Sequence, residues 1–397
     1  MYSERLESCI HINILLILRF RHFLNNCKLI SIDKLSNNTN KYFPIFDHFF
    51  KPMAQHVNHS NILIPISILL IGVVLFALNL LLGSVSIPFQ DFCQAVFHGE
   101  DNTYRSIIME YRMPQAITAL LAGIGLSVSG LLMQTLFRNP LADPSILGIS
   151  SGASLGVALV VLLAGSFSGI ALSQSTLWST LGVSLAAFAG AFLVLLLILA
   201  LSAKLRNMVS LILVGIMIAY IAGSITDVLK FFSQKEDVHA FVIWGLGSFS
   251  SVSKAQLPFL SITIIVGAIL AFLLSKNLNL MLLGERYAEN LGVNIRRCSM
   301  MTILVSGFLT AIITAFCGPI AFLGLAVPHL ARFLFKSSNH FVLIPATALI
   351  GMDLALFCNL ISRLPGFDGS LPINSVTALI GAPIVLWVIF SRQKNSK

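Results

Sequence analysis

Residues 113–136 read Met-Pro-Gln-Ala-Ile-Thr-Ala-Leu-Leu-Ala-Gly-Ile-Gly-Leu-Ser-Val-Ser-Gly-Leu-Leu-Met-Gln-Thr-Leu, a stretch without one charged side chain. A helix crossing the hydrocarbon of a bilayer needs about 20 predominantly apolar residues, and this stretch is long enough. Pro114 and the glycines within it do not break the assignment, because membrane bundles tolerate both where neighbouring helices satisfy the freed backbone groups. Nine more windows of similar length carry few charges: 61–82, 146–166, 176–202, 208–229, 257–275, 298–317, 319–335, 341–361 and 371–390. Together they predict an all-α integral membrane protein, a ten-transmembrane-helix bundle.

Composition agrees with the windows. Of the 397 residues, 56% are hydrophobic and 10% charged, with a mean hydropathy of +0.89. A soluble domain carries roughly 25% charged residues, so this supply could not build a water-facing surface. The net charge of +9 is read as loop lysine and arginine obeying the positive-inside rule, not as a nucleic-acid footprint. The six cysteines lie apart, with neither a Cys-x-x-Cys nor a Cys/His cluster. No disulfide framework and no metal site are expected.

Residues 1–52 differ from the rest, with seven Lys/Arg, four Asp/Glu and one apolar run at 10–18 that is too short to span. Arg19, Arg21 and His22 follow that run where a signal peptide would have its small-residue cleavage site. The segment is expected to be an N-terminal extension, disordered or upstream of the true start, before a domain of ten transmembrane helices over 53–397. With the N-terminus in the cytoplasm, inside loops carry Arg138, Lys204, Arg206, Lys276, Arg286, Arg296, Arg297 and Lys336, and the tail carries Arg392, Lys394 and Lys397. The outside loops are mixed or acidic: Asp91, Glu100, Asp101, Arg105, Glu110 and Arg112 in the first, Lys235, Glu236 and Asp237 in the third, and Asp368 in the last. The asymmetry places both termini in the cytoplasm.

The chain has no Gly-x-x-x-x-Gly-Lys-Ser/Thr, so it cannot cradle a nucleotide in a P-loop. Ion coupling normally needs ionisable residues inside the spans. Asp353 is the one carboxylate well inside a window, with Asp227 near an end. That disfavours, without removing, the alternative of an ion-coupled secondary transporter. A polytopic membrane enzyme would need catalytic groups converging near a span end, and none do. Between windows six and seven, Leu282-Leu-Gly-Glu-Arg-Tyr-Ala-Glu-Asn-Leu-Gly-Val293 sets Ala288 and Leu291 at helical spacing between glycines. This predicts a short cytoplasmic helix, one that docks a soluble partner or lies on lipid. Its acids favour docking, since lipid-surface helices are rich in Lys and Arg.

Seven segments in order resemble the iron-siderophore, haem and cobalamin permease family of ATP-binding-cassette importers. They are Tyr111-Arg-Met-Pro-Gln, the Leu-Ala-Gly…Ser-Gly…Gln134 helix, Arg138-Asn-Pro-Leu-Ala-Asp-Pro…Ser-Gly-Ala153 and Trp244-Gly-Leu-Gly-Ser248. The others are Leu283-Gly-Glu…Leu291-Gly-Val293, Gly318-Pro-Ile-Ala-Phe…Pro-His-Leu-Ala-Arg332 and Leu371-Pro…Thr377-Ala-Leu-Ile-Gly-Ala-Pro383. The resemblance covers roughly residues 60–392. It implies a ten-span permease subunit that is not itself an enzyme, sits in the cell inner membrane and binds no cofactor. A second permease subunit, identical or related, two ATPase subunits carrying ATP and Mg²⁺, and an extracytoplasmic binding protein would complete the importer, with no nucleic acid involved. Cargo would be an iron-siderophore, haem, cobalamin or similar chelate, passing along the subunit interface.

The resemblance assigns roles to residues. Gly284, Glu285, Ala288, Leu291 and Gly292 would dock the ATPase, with Ala288 and Leu291 in its groove and Glu285 in a charge-assisted bond. Arg112 and Arg363 at the outer face would pair with carboxylates of the binding protein, for which the guanidinium fork is suited. Two departures from the family pattern stand near them, Gln115 in place of a second arginine and Asn359 where a carboxylate is common. Arg138, Asn139, Pro140 and Asp143 form a corner in which Arg138 and Asp143 could pair. Gly318 and Pro319 open the eighth span. Pro328 and His329, with Arg332 following, are expected to break it as a gate or to leave a plain kink.

Overall fold

The structure, a computed structural model, describes residues 59–83, 85, 87–94, 103–168, 176–205, 208–363 and 370–395. All of them belong to the unit Asn58–Lys397. The expected extension over 1–52 lies outside the described residues.

Helices carry the described chain: α1 (His59–Leu81), α2 (Phe89–Cys93), α3 (Thr103–Ser106), a π-helical turn Ile107–Arg112, α4 (Met113–Leu136), α5 (Ile149–Ser168), α6 (Thr176–Ser202) and α7 (Met208–Phe232). Then follow α8 (Lys235–Gly245), α9 (Leu257–Leu273), α10 (Ser275–Leu282), α11 (Glu285–Asn290), α12 (Ile295–Cys317), α13 (Leu323–Phe335), α14 (His340–Ser362) and α15 (Ile373–Asn395). There is no strand among the described residues.

Among the described residues, six helices are long and apolar enough to cross a membrane, and α9 with α10, bent by 44°, would make a seventh. The other three of the ten expected spans fall on shorter apolar stretches, Ile149–Leu162, Leu323–Phe335 and Ile373–Trp387. For α13 the shortening has a local cause. Gly318 (φ 74°) ends α12, and Phe322 takes φ 70°, so helix resumes only at Leu323. The window read as 319–335 loses its first turn to this connection.

Burial separates central helices from peripheral ones. The window containing α4 is 83% buried within the chain and that of α12 is 72% buried, against 17% for α7 and 22% for α1. A peripheral helix presents its apolar side chains outward, as Tyr220, Ile221 and Phe231 do on α7, which in lipid costs nothing. One packed cluster joins α1, α4, α9, α12, α13 and α14, and another joins the end of α4 with α5, α6, α7 and α12. Small residues bring the centre together: a Cβ on Gly130 of α4 would overlap the carbonyl of Gly324 on α13, so the two backbones touch there.

Candidate functional site

The corner after α4 is built from its turn residues. Arg138 takes a left-handed conformation (φ 47°). Asn139 Oδ1 accepts from Leu141 N at 2.9 Å, and Asp143 caps the 3-10 turn Pro144–Leu147, accepting from Ser145 N at 3.2 Å and from the Ser145 hydroxyl. Burial pushes the Asp143 carboxyl above its ordinary pKa, with the Ser145 bonds opposing the shift. His329 Nε2 donates to the Pro140 carbonyl at 2.8 Å, tying the corner to α13. The expected Arg138–Asp143 pair does not form, because Asp143 is spent on its cap. Arg138 instead reaches Glu285 at 3.4 Å and the Met281 carbonyl at 3.4 Å.

That pair joins the corner to α11. Gly284 (φ 117°) and Gly292 (φ 86°) bracket this six-residue helix in conformations that glycine adopts most readily. The expectation that Ala288 and Leu291 share a docking face is corrected. Ala288 is completely buried within the chain, whereas Leu291 is 52% exposed. A six-residue helix is less than two turns long, and its inner face is needed to seat it on the second core cluster. The surface left for a partner is formed by Tyr287, Leu291 and Leu283. Glu285 is already bonded within the chain, though half-exposed.

Pro328 does not break α13, which runs without interruption from Leu323 to Phe335. Proline lacks the N–H that would bond to the carbonyl four residues back, here Gly324. Gln134 Nε2 takes its place, donating to Gly324 O at 3.5 Å and Leu325 O at 3.1 Å, while Gln134 Oε1 accepts from Arg332 Nη1 at 2.6 Å. One side chain on α4 thus reaches the carbonyl that Pro328 leaves without its helical donor. The sequence signal was a lone amide in an uncharged window, read only as part of a motif.

At the other end of α4, Arg112 is not a surface residue. It is 1% exposed, and its guanidinium donates to the carbonyls of Leu80 (2.9 Å), Leu81 (2.7 Å) and Val85, closing the C-terminal end of α1. Arg363 is half-buried beside it. A Cβ on Gly83 would lie 3.0 Å from Arg363 Nη2 and 3.1 Å from Arg112 Cζ, so the two guanidiniums meet over this glycine. Burial, and then the charge of Arg112, pull the Arg363 pKa down to about 10. It stays charged at neutral pH, and its buried Nη1 has no hydrogen-bond partner among the described residues. Gln115 and Asn359, the two departures from the family pattern, contact each other: Gln115 Nε2 donates to Asn359 Oδ1 at 3.1 Å and Asn359 Nδ2 to Asn79 Oδ1 at 2.8 Å. Asn79, which sequence reasoning passed over, extends the chain to the Leu356 carbonyl at 3.0 Å. At these two departures from the family pattern, a neutral amide relay joins α1, α4 and α14. Asp353, lower on α14, has a buried Oδ1 without a partner among the described residues.

Comparison with known proteins places this arrangement. The model of the FecCD transport family matches residues 69–391. The hemin transport system permease protein HmuU of Yersinia pestis is 33% identical over 342 residues, 82% of this chain and 95% of that protein. The molybdate import system permease protein MolB of Haemophilus influenzae is 30% identical, covering 86% and 98%. The vitamin B12 import system permease protein BtuC of Klebsiella pneumoniae is 34% identical, covering 71% and 82%. Among solved structures, a metal-chelate type ABC transporter in an inward-facing conformation superposes with a TM-score of 0.71 at 30% identity, covering 83% of this chain and 99% of that one. With a family model matched along most of its length, the chain is a multi-pass membrane permease of ABC importer type and belongs to the FecCD transport family.

Proposed function

We propose that this permease moves an iron-siderophore or a related chelate, haem or cobalamin, across the cytoplasmic membrane with energy from a separate ATPase subunit. The observation that carries the reading is the 0.71 TM-score to a metal-chelate type transporter over 83% of this chain and 99% of that one. Ten spans, with both termini cytoplasmic, take the three shorter apolar helices as membrane-crossing within a dimer of permeases. The exposed face of α11, at Tyr287 and Leu291, is the ATPase contact, and Ala288 anchors it. Arg363, charged and with an unpartnered Nη1, receives a carboxylate of an extracytoplasmic binding protein, while Arg112 holds the end of α1 beneath it. The MolB relative supports a second cargo reading, an oxyanion such as molybdate.

Uptake of labelled haem, ferric siderophore, cobalamin and molybdate in cells expressing the complete system separates these cargoes. Accumulation of one of the chelates should stop on ATP depletion and survive a proton uncoupler while ATP is held high. Collapse under the uncoupler alone would favour ion coupling.

A further inference from the structure

Asp353 stands near the middle of α14, one of the helices long and apolar enough to cross a membrane. It faces Gly72, the middle residue of the apolar stretch Leu63–Leu81 of α1. A Cβ on Gly72 would lie 2.5 Å from Asp353 Oδ1, so the carboxyl is seated against the α1 backbone. That oxygen is buried and has no hydrogen-bond partner among the described residues, and none of the ion pairs there includes Asp353. The surrounding elements bring no charge to it. After His59, α1 has no acidic, basic or histidine side chain, and neither α4 nor α9 has any. Lys276 lies at the start of α10, which meets the start of α14 through Asn279 and His340. On α13, His329 is bonded to the Pro140 carbonyl and Arg332 to Gln134, and Arg392 and Lys394 lie near the end of α15. On α14 itself, His340 is bonded to Thr135 and Asn279, and Cys358 is buried, about 140° round the helix from Asp353. Arg363, with Arg112 beside it, is about 15 Å further along the axis.

We propose that Asp353 is a proton-binding site at the middle of the membrane, occupied while α1 lies against it and open to exchange when α1 parts from α14. An ionised carboxylate left unpaired at this depth is among the costliest groups a span can hold. With no basic side chain to neutralise it, a proton balances the charge. The way α1 is held gives that proton an exit. Among the described residues, its hydrogen bonds to the rest of the chain begin at Asn79, which donates to the Leu356 carbonyl at 3.0 Å and accepts from Asn359 at 2.8 Å. They continue in the Leu80 and Leu81 carbonyls, bonded to Arg112. Before Asn79, α1 is held by apolar packing such as that of Ile68, and its window is 22% buried. The bonded end serves as a hinge, and Asp353 sits beside the part that is free to lift. The site goes beyond the importer reading and does not depend on it.

Membranes holding the full-length chain are treated, across a pH series from acid to alkaline, with dicyclohexylcarbodiimide, which dissolves in lipid, or with a water-soluble cationic carbodiimide. Modification of Asp353 is read by peptide mass spectrometry. The acid form reacts: its proton passes to a carbodiimide nitrogen as the carboxyl oxygen bonds to the central carbon. The acyl group then migrates to nitrogen, so the whole reagent is added and nothing leaves. The lipid-soluble reagent should modify Asp353 about tenfold more than the water-soluble one, and its yield should fall about tenfold for each pH unit once the ionised form dominates. Asp353→Asn should abolish the modification, and Asp227→Asn, at an exposed position, should leave it unchanged. In Gly72→Leu, whose side chain cannot share the seam with Asp353, the water-soluble reagent should gain access. No modification at any pH, equal modification by both reagents in the wild type, or a yield independent of pH overturns the proposal, and these wild-type measurements decide it even where the Gly72 variant fails to reach the membrane. A Gly72→Leu protein that reaches the membrane and is modified as the wild type is overturns closure of the site by α1. Neither cargo nor ATP enters the measurement, so this site and the importer reading can fail separately.

Discussion

At the scale of single residues, Gln134 shows how much one amide can hold in place. Replacing it with leucine would strip the donor from the Gly324 and Leu325 carbonyls and the acceptor from Arg332. Each buried polar group left unpaired costs about 1–3 kcal/mol, so Gln134→Leu should lower the melting temperature clearly. Adding Pro328→Ala to that variant returns an N–H to the Gly324 carbonyl and should recover part of the loss; no recovery would detach Gln134 from the proline. Asp143 makes a pH prediction. Its folded-state pKa is raised by burial, so from about pH 4, its ordinary pKa, up to that raised value the folded state holds more protons than the unfolded one. Stability should fall as pH rises through this window. Asp143→Asn, which keeps an acceptor for Ser145, should flatten that fall in a melting series across pH. Neither role was legible in the sequence. Gln134 stands within a quoted motif, but what it bonds to is about 190 positions away.

Among the elements, α11 separates what spacing can reveal from what packing decides. The glycines and charges marked a short helix between 284 and 292, and one is there. Spacing of three placed Ala288 and Leu291 on one side, yet tertiary contact turned the smaller inward and left the larger outside. A methyl fits a packed seat that an isobutyl group would overfill. Ala288→Asp should therefore bury an unpaired charge and lower the amount of permease in the membrane, at a cost of several kcal/mol. Leu291→Asp, at an exposed site, should leave that amount unchanged and abolish co-purification with an ATPase. If both variants reach the membrane equally and both keep the ATPase, α11 is not the contact. The same contrast holds for α13. Pro328 and His329 read as a break or a kink, whereas the side chain that reaches the carbonyl freed by Pro328 belongs to another helix.

For the whole molecule, apolar windows gave the all-helical class and the places of the long apolar helices, since hydropathy is a local property. Window length gave one element less well: α13 is short because the irregular connection Gly318–Phe322 draws residues from its first turn. Expression from Met53 should yield protein that inserts and transports at the full-length level, because every apolar window lies after it; loss of insertion, measured in membrane fractions, would give residues 1–52 a role. The distribution of burial, with α4 and α12 central, is a property of assembly that no single window contains. The contact between Gly130 and Gly324 has a mechanical consequence. With no side chain between the two backbones, there is nothing there to compress and no slack to take up. Helices α4 and α13 cannot be pressed closer there, and any larger group at that point would force the two backbones apart.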